Sequence, residues 1–174
     1  MKNKILSAAA CALLVTSLAG CGNSGNSDDS QAAQAISKSI MKKNQMGVTQ
    51  KQADCVGSKM VANVGTKDLQ KYKILDKNLH VTKSVTQVKM SKGDAGGAAD
   101  AIVNCVDPTK FMMKAMSSSS ASMPPAARKC MQKVLTKQAV HDMMADSFAG
   151  NTSAAQKKLM GPMMKCAQQG GMGQ

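Results

Sequence analysis

The chain has 174 residues, with 23 Lys or Arg against 10 acidic residues, a formal net charge of +13, one tyrosine, two phenylalanines and no tryptophan. That length allows one small domain, and so few aromatics leave no stacking platform for single-stranded nucleic acid. Every acid is Asp and every base but Arg128 is Lys. The charge is therefore carried by hydrated ammonium groups rather than by the planar guanidinium forks that read phosphates and bases. Sequence-specific nucleic-acid recognition is not expected. Diffuse attraction to anionic envelope components such as lipid headgroups, or a merely solvated surface, is.

Met1-Lys2-Asn3-Lys4 forms a basic N-terminus, followed over residues 5–18 by an apolar run rich in Ala and Leu. The run is too short to span a bilayer and reads as the core of a secretory signal. Leu18-Ala19-Gly20-Cys21 closes it and resembles the lipobox of bacterial lipoproteins. The resemblance implies cleavage after residue 20, acylation of Cys21 and attachment to a membrane without a transmembrane helix, since two or more acyl chains anchor stably. It also implies outer-membrane placement in a two-membrane envelope, because Gly22 stands where the retention signal has Asp. An ordinary cleaved signal would instead leave Cys21 a free thiol.

Residues 22–30, rich in Gly, Asn, Ser and Asp, read as a flexible tether. Residues 31–46 have Ala33, Ile36 and Ile40 at helical spacing, but are read as an extension of the linker, so that 21–48 form the lipidated tether. The folded domain is placed at 49–168, with a disordered tail at 169–174. Thr49-x-x-Gln52 is a capping box, opening a helix with an inner stripe of Cys55, Val56, Met60 and Val64 and an end at Gly65. Thr66 is expected to cap a second helix that turns Leu69, Tyr72, Ile74 and Leu75 inward. A Val/Thr-rich segment near 77–90 reads as extended chain. Ser91 then caps a helix bearing Ala98, Ala101, Ile102 and Cys105. Asp107-Pro108 caps the next, with Phe111, Met112 and Met116 facing in. A serine-rich loop leads to Pro124-Pro125 and a helix through Cys130, Met131, Val134 and Leu135. Thr136 caps a helix burying Val140, Met143, Met144 and Phe148. Thr152 or Ser153 opens the last, which Pro162 should kink.

Six cysteines are present. Cys11 leaves with the signal and Cys21 takes lipid, so Cys55, Cys105, Cys130 and Cys166 remain, an even set that in an exported domain reads as two disulfides. Three connectivities are open. A weak internal repeat favours one of them: Cys55, Thr66, Ser91 and Cys105 correspond in type and order to Cys130, Thr136, Thr152 and Cys166. Each half, 49–106 and 124–168, would then be a helical unit stapled from first helix to last by Cys55–Cys105 or Cys130–Cys166, contributing on the order of 3–4 kcal/mol each. The expected fold is a mainly α, small multi-helix bundle of two such units. The pattern from Cys55 to Cys166 also resembles small disulfide-stapled helical secreted bacterial proteins, a likeness that carries no activity.

No catalytic signature occurs: there is no G-x-S-x-G, H-E-x-x-H or phosphate-binding glycine loop, and without Glu no flagged carboxylate pair. No enzyme and no cofactor are expected. Zinc is disfavoured because there is no C-x-x-C and the two histidines, His80 and His141, lack ligand-like neighbours. The sixteen methionines stand where Leu would be usual: Met112, Met113, Met116, Met143, Met144, Met160, Met163 and Met164 are expected in the core. Three readings follow. The first is an envelope-anchored binding or structural module at the membrane surface. The second is a carrier of a small apolar ligand in a Met-lined groove between helices. The third, Cu(I) binding by the thioethers of Met112, Met113 and Met116 at helical spacing and by His141 with Met144 at i,i+3, is weaker.

Overall fold

The computed structural model describes residues 27–43, 47–107, 110 and 124–169. Among them the chain is mainly helical and contains no strand: α1 Ser27–Lys42, α2 Gln50–Val64, α3 Thr66–Lys71, a 3-10 turn Val85–Gln87, α4 Lys92–Val103, α5 Pro125–Val134, α6 Lys137–Phe148 and α7 Thr152–Gln169. None of these helices is long and apolar enough to cross a membrane. The expected helix opened by Asp107-Pro108 falls outside the described residues apart from Lys110. The amide of Lys110 donates to Asp107 Oδ1 at 3.1 Å, as an N-cap at Asp107 requires.

The fold begins earlier than the sequence reading placed it. Residues 27–42 are not tether but helix α1, with Asp28 and Asp29 in the first turn and Lys42 in the last, each charge opposing the helix dipole. Ala32 and Ile36 are buried, with Ala33 and Ile40 beside them in the main core. The stripe was visible in the sequence; its partner was not. On α2, Gly57 faces α1 so closely that a Cβ there would lie 2.3 Å from the Ala33 carbonyl oxygen, so the two backbones touch. Beside this crossing the buried Ser37 hydroxyl donates to Asp54 at 2.5 Å, and the Gln50 amide donates to both Ser37 and Asp54.

Local signals place the other helix ends. Thr49 and Gln52 form the reciprocal capping box, and Gly65, at φ +88°, ends α2. Thr66 does not cap α3, contrary to expectation: Gly65 occupies that position without a side-chain bond, and the Thr66 hydroxyl donates to Asp29 of α1 at 2.6 Å. Ser91 and Thr136 cap α4 and α6 through the amides of Asp94 and Ala139. Between α3 and α4 the chain is irregular rather than extended: it turns at Lys73 and Leu79, at φ +58° and +63°, makes one antiparallel bridge, Leu75 to Val81, and passes through the 3-10 turn. Tyr72 fastens it to the start of α4: its hydroxyl donates to Asp94 at 2.6 Å and accepts from the Ser91 amide at 2.9 Å.

The two expected disulfides form, Cys55–Cys105 and Cys130–Cys166, with Cα separations of 5.6 and 5.4 Å. The first joins α2 to the end of α4; the second joins α5 to α7. The halves are not independent, however. Phe148 of α6 is buried in the core built by α1 to α4, and its carbonyl accepts from the Met90 amide. In the other direction, Val103 of α4 belongs to the smaller core with Leu135, Val140 and Leu159. Asn104 and Lys137 add a hydrogen bond between the end of α4 and the start of α6.

Four carboxyls are held below the ordinary carboxylate range by hydrogen bonds: Asp54 mainly by the Ser37 hydroxyl, Asp76 by the His80 amide, Asp94 by Tyr72 and Asp142 by His141. A folded-state pKa below the unfolded one contributes stability that is complete above the unfolded value and is lost as pH falls through the folded value. The thermal midpoint should therefore begin to drop only below about pH 4, and Asp94→Asn should flatten part of that acid limb. A decline already well advanced at pH 6 would contradict this assignment.

Candidate ligand-binding cavity

Between α1, α2, α4 and α6 lies a cavity of about 470 Å³, within the size range of small-molecule sites. Its walls follow from the helix stripes. Ile36 and Ile40 come from α1, Val56 and Met60 from α2, Ile102 from α4, and Val140, Met143 and Met144 from α6. The segment between α3 and α4 closes one side with Ile74, Val81 and Val85. The Leu75–Val81 bridge and the 3-10 turn capped by Ser84 hold that segment in place. The Cys55–Cys105 disulfide ties together the two helices that carry Val56 and Ile102. Four lining residues are polar, Ser39, Lys43, Lys83 and Ser84, and none is acidic.

An apolar space of this kind takes up apolar surface, at roughly 25 cal/mol per Å² removed from water. Met60, Met143 and Met144 give the wall unbranched thioether side chains that re-pack around irregular shapes. Of the methionines singled out, Met143 and Met144 line this cavity. Met163 is half-buried against the smaller core. Met160 and Met164, expected in the core, are instead 56% and 59% exposed. The reason is angular. Leu159, Met163 and Cys166 share the face of α7 that meets α5 and α6, and a residue one step along the chain points about 100° away. Met112, Met113 and Met116 lie outside the described residues, as does Cys21.

His141 is spoken for. Its Nε2 lies 3.5 Å from Asp100 and its Nδ1 3.0 Å from Asp142, so the ring links α6 to α4 rather than turning a nitrogen toward Met144. His80 is exposed and pairs with Asp76 at 3.3 Å. Among the described residues no three His, Cys, Asp or Glu side chains converge as a metal site would require.

Sequence reasoning missed Lys43, Val48, Lys83 and Val85 among the lining residues, and read the stripe that carries Ile40 as linker. The Val/Thr-rich composition near 77–90 signalled extended chain but not what it would cover. A run of that kind with no pairing strand could have flagged a wall for something other than a sheet.

Comparison with known protein families, curated proteins and solved structures finds no match to this chain.

Proposed function

We propose that this chain is an envelope lipoprotein whose helical domain binds a small apolar ligand in the cavity between α1, α2, α4 and α6, rather than catalysing a reaction. The cavity carries this reading: some 470 Å³ of space with apolar walls and polar groups confined to four residues. The lipobox-like Leu18-Ala19-Gly20-Cys21 supports acylation at Cys21, and two paired disulfides fit an oxidising compartment outside the cytoplasm. Since α1 opens at Ser27, the segment from Cys21 to the domain reaches at most about 20 Å. Acyl chains on Cys21 would hold the cavity close to the bilayer, where apolar ligands are delivered or collected. The lysine-rich surface would favour an anionic membrane face.

Native mass spectrometry of the full chain, released from a non-ionic detergent, tests the cavity. The wild type should carry a lipid-sized adduct beyond its covalent acyl groups. Val85→Trp, which places a larger side chain at the wall, should lose that adduct while keeping its helical circular dichroism. An adduct unaffected by the substitution, or none in the wild type with added apolar ligand, would remove the proposal. Metabolic labelling with palmitate should mark the wild type and leave Cys21→Ala unlabelled.

A further inference from the structure

Resting on the cavity reading above, we propose that the ligand is an anionic amphiphile: a single acyl-type chain in the cavity, with its carboxylate or phosphate head at Lys43 and Lys83. The inference comes from the polar residues among the lining. Ser39, Lys43, Lys83 and Ser84 are all of them, so the site offers hydroxyls and ammonium groups and no carboxylate. In a lysine-rich chain two lysines beside a cavity would mean little by themselves. Three of the described lysines lie beside acids, Lys71 by Asp68, Lys110 by Asp107 and Lys158 by Asp146; Lys43 and Lys83 differ from the other unpaired lysines in lining an apolar cavity that holds no carboxylate. Another surface depression mixes Asp28 and Asp29 with Lys67 and Lys77. Among the described residues neither Lys43 nor Lys83 takes part in an ion pair.

The two lysines come from separate parts of the chain. Lys43 directly follows α1, and its amide continues the helix by donating to the Ser39 carbonyl. Lys83 precedes the Ser84-capped 3-10 turn. Folding thus brings to one apolar cavity two cations that the sequence keeps apart, the arrangement suited to a ligand with one charged end and one apolar end. At about 30 Å³, the liquid volume of a water molecule, for each small group, the 470 Å³ cavity takes roughly sixteen groups, enough for a dozen-carbon chain and its head. A neutral amphiphile would gain nothing from the two exposed ammonium groups, and a cationic one would be repelled by them.

Photo-crosslinking of the full chain in vesicles of neutral phosphatidylcholine separates the outcomes. The probes are diazirine-bearing dodecanoic acid, dodecyl phosphate and dodecanol, and labelling is mapped to the tryptic peptide that contains Met143 and Met144. Comparing the native chain with Lys43→Gln/Lys83→Gln for each probe cancels differences in membrane partition. The double variant should lose labelling by the carboxylate or phosphate probe by roughly five- to tenfold, the scale of two partly exposed charge contacts, and keep its labelling by dodecanol. Which anionic probe is preferred distinguishes a fatty acid from a monoacyl phosphate. Equal loss for all three probes, or no loss for any, overturns the head-group assignment while leaving the cavity reading intact. Failure of every probe to label that peptide in the native chain overturns both.

Discussion

Replacing Cys130 and Cys166 together by serine should release α5 and α7 from an otherwise folded protein. The bridge closes 36 residues, and loop-closure entropy at that length contributes about 4 kcal/mol on the chain-entropy model. The consequence depends on what else holds the element. Among the described residues the core that α5 joins has four buried members, Val103, Leu135, Val140 and Leu159. The core of α1 to α4 has sixteen. The same loss should therefore act locally here. In hydrogen exchange, the amides of α5 and α7 should approach the rate of unstructured chain while those of α1, α2 and α4 stay protected. Cys55→Ser/Cys105→Ser should instead lower the cooperative denaturant midpoint, because its 50-residue loop runs through the larger core. Native-like protection of α5 and α7 without the second bridge would mean that packing, not the disulfide, secures them.

Gly57→Ala should destabilise the protein even though alanine is the better helix former. In an exposed helix the exchange is worth up to about 1 kcal/mol in alanine's favour. At this position the new Cβ would meet the Ala33 carbonyl oxygen at 2.3 Å and the Ala33 carbonyl carbon at 3.2 Å. These are backbone atoms, so no side chain can swing aside. Relief requires α1 and α2 to move apart, which also disturbs Ser37, Asp54 and Gln50 beside the crossing. Overpacking of this kind costs about 1–3 kcal/mol, more than propensity returns. Gly96→Ala in α4 is the matched control, since its Cβ meets nothing within 4 Å, and it should stabilise by about 0.5–1 kcal/mol. Opposite signs in thermal melts of the two variants would confirm the crossing; a stabilising Gly57→Ala would show that α1 does not pack there.

The variants also bear on function. Any ligand in the cavity touches α1 through Ile36 and Ile40 and α2 through Val56 and Met60, so a shifted α1 changes the site. The same helix follows the segment bearing Cys21.

The sequence alone determined what depends on neighbours along the chain. Thr49 with Gln52, Ser91 and Thr136 opened their helices as read, because a cap is satisfied within one turn. Gly65 ended α2, because positive φ suits glycine. The order of the cysteines in the two halves pointed to the pairing that forms, although the Thr66 cap matched to Thr136 is absent. Tertiary structure decided the rest. The stripe of α1 could have been linker or core until Gly57 supplied a place against which to bury it. Thr66 had the chemistry of a cap but found Asp29 closer. Met160 and Met164 had helical spacing, yet α5 and α6 met the neighbouring face of α7. Lys43 and Lys83 are 40 positions apart, and nothing local marks either among so many lysines. Only packing, which brings distant stripes around a common space, gathers them at one apolar cavity.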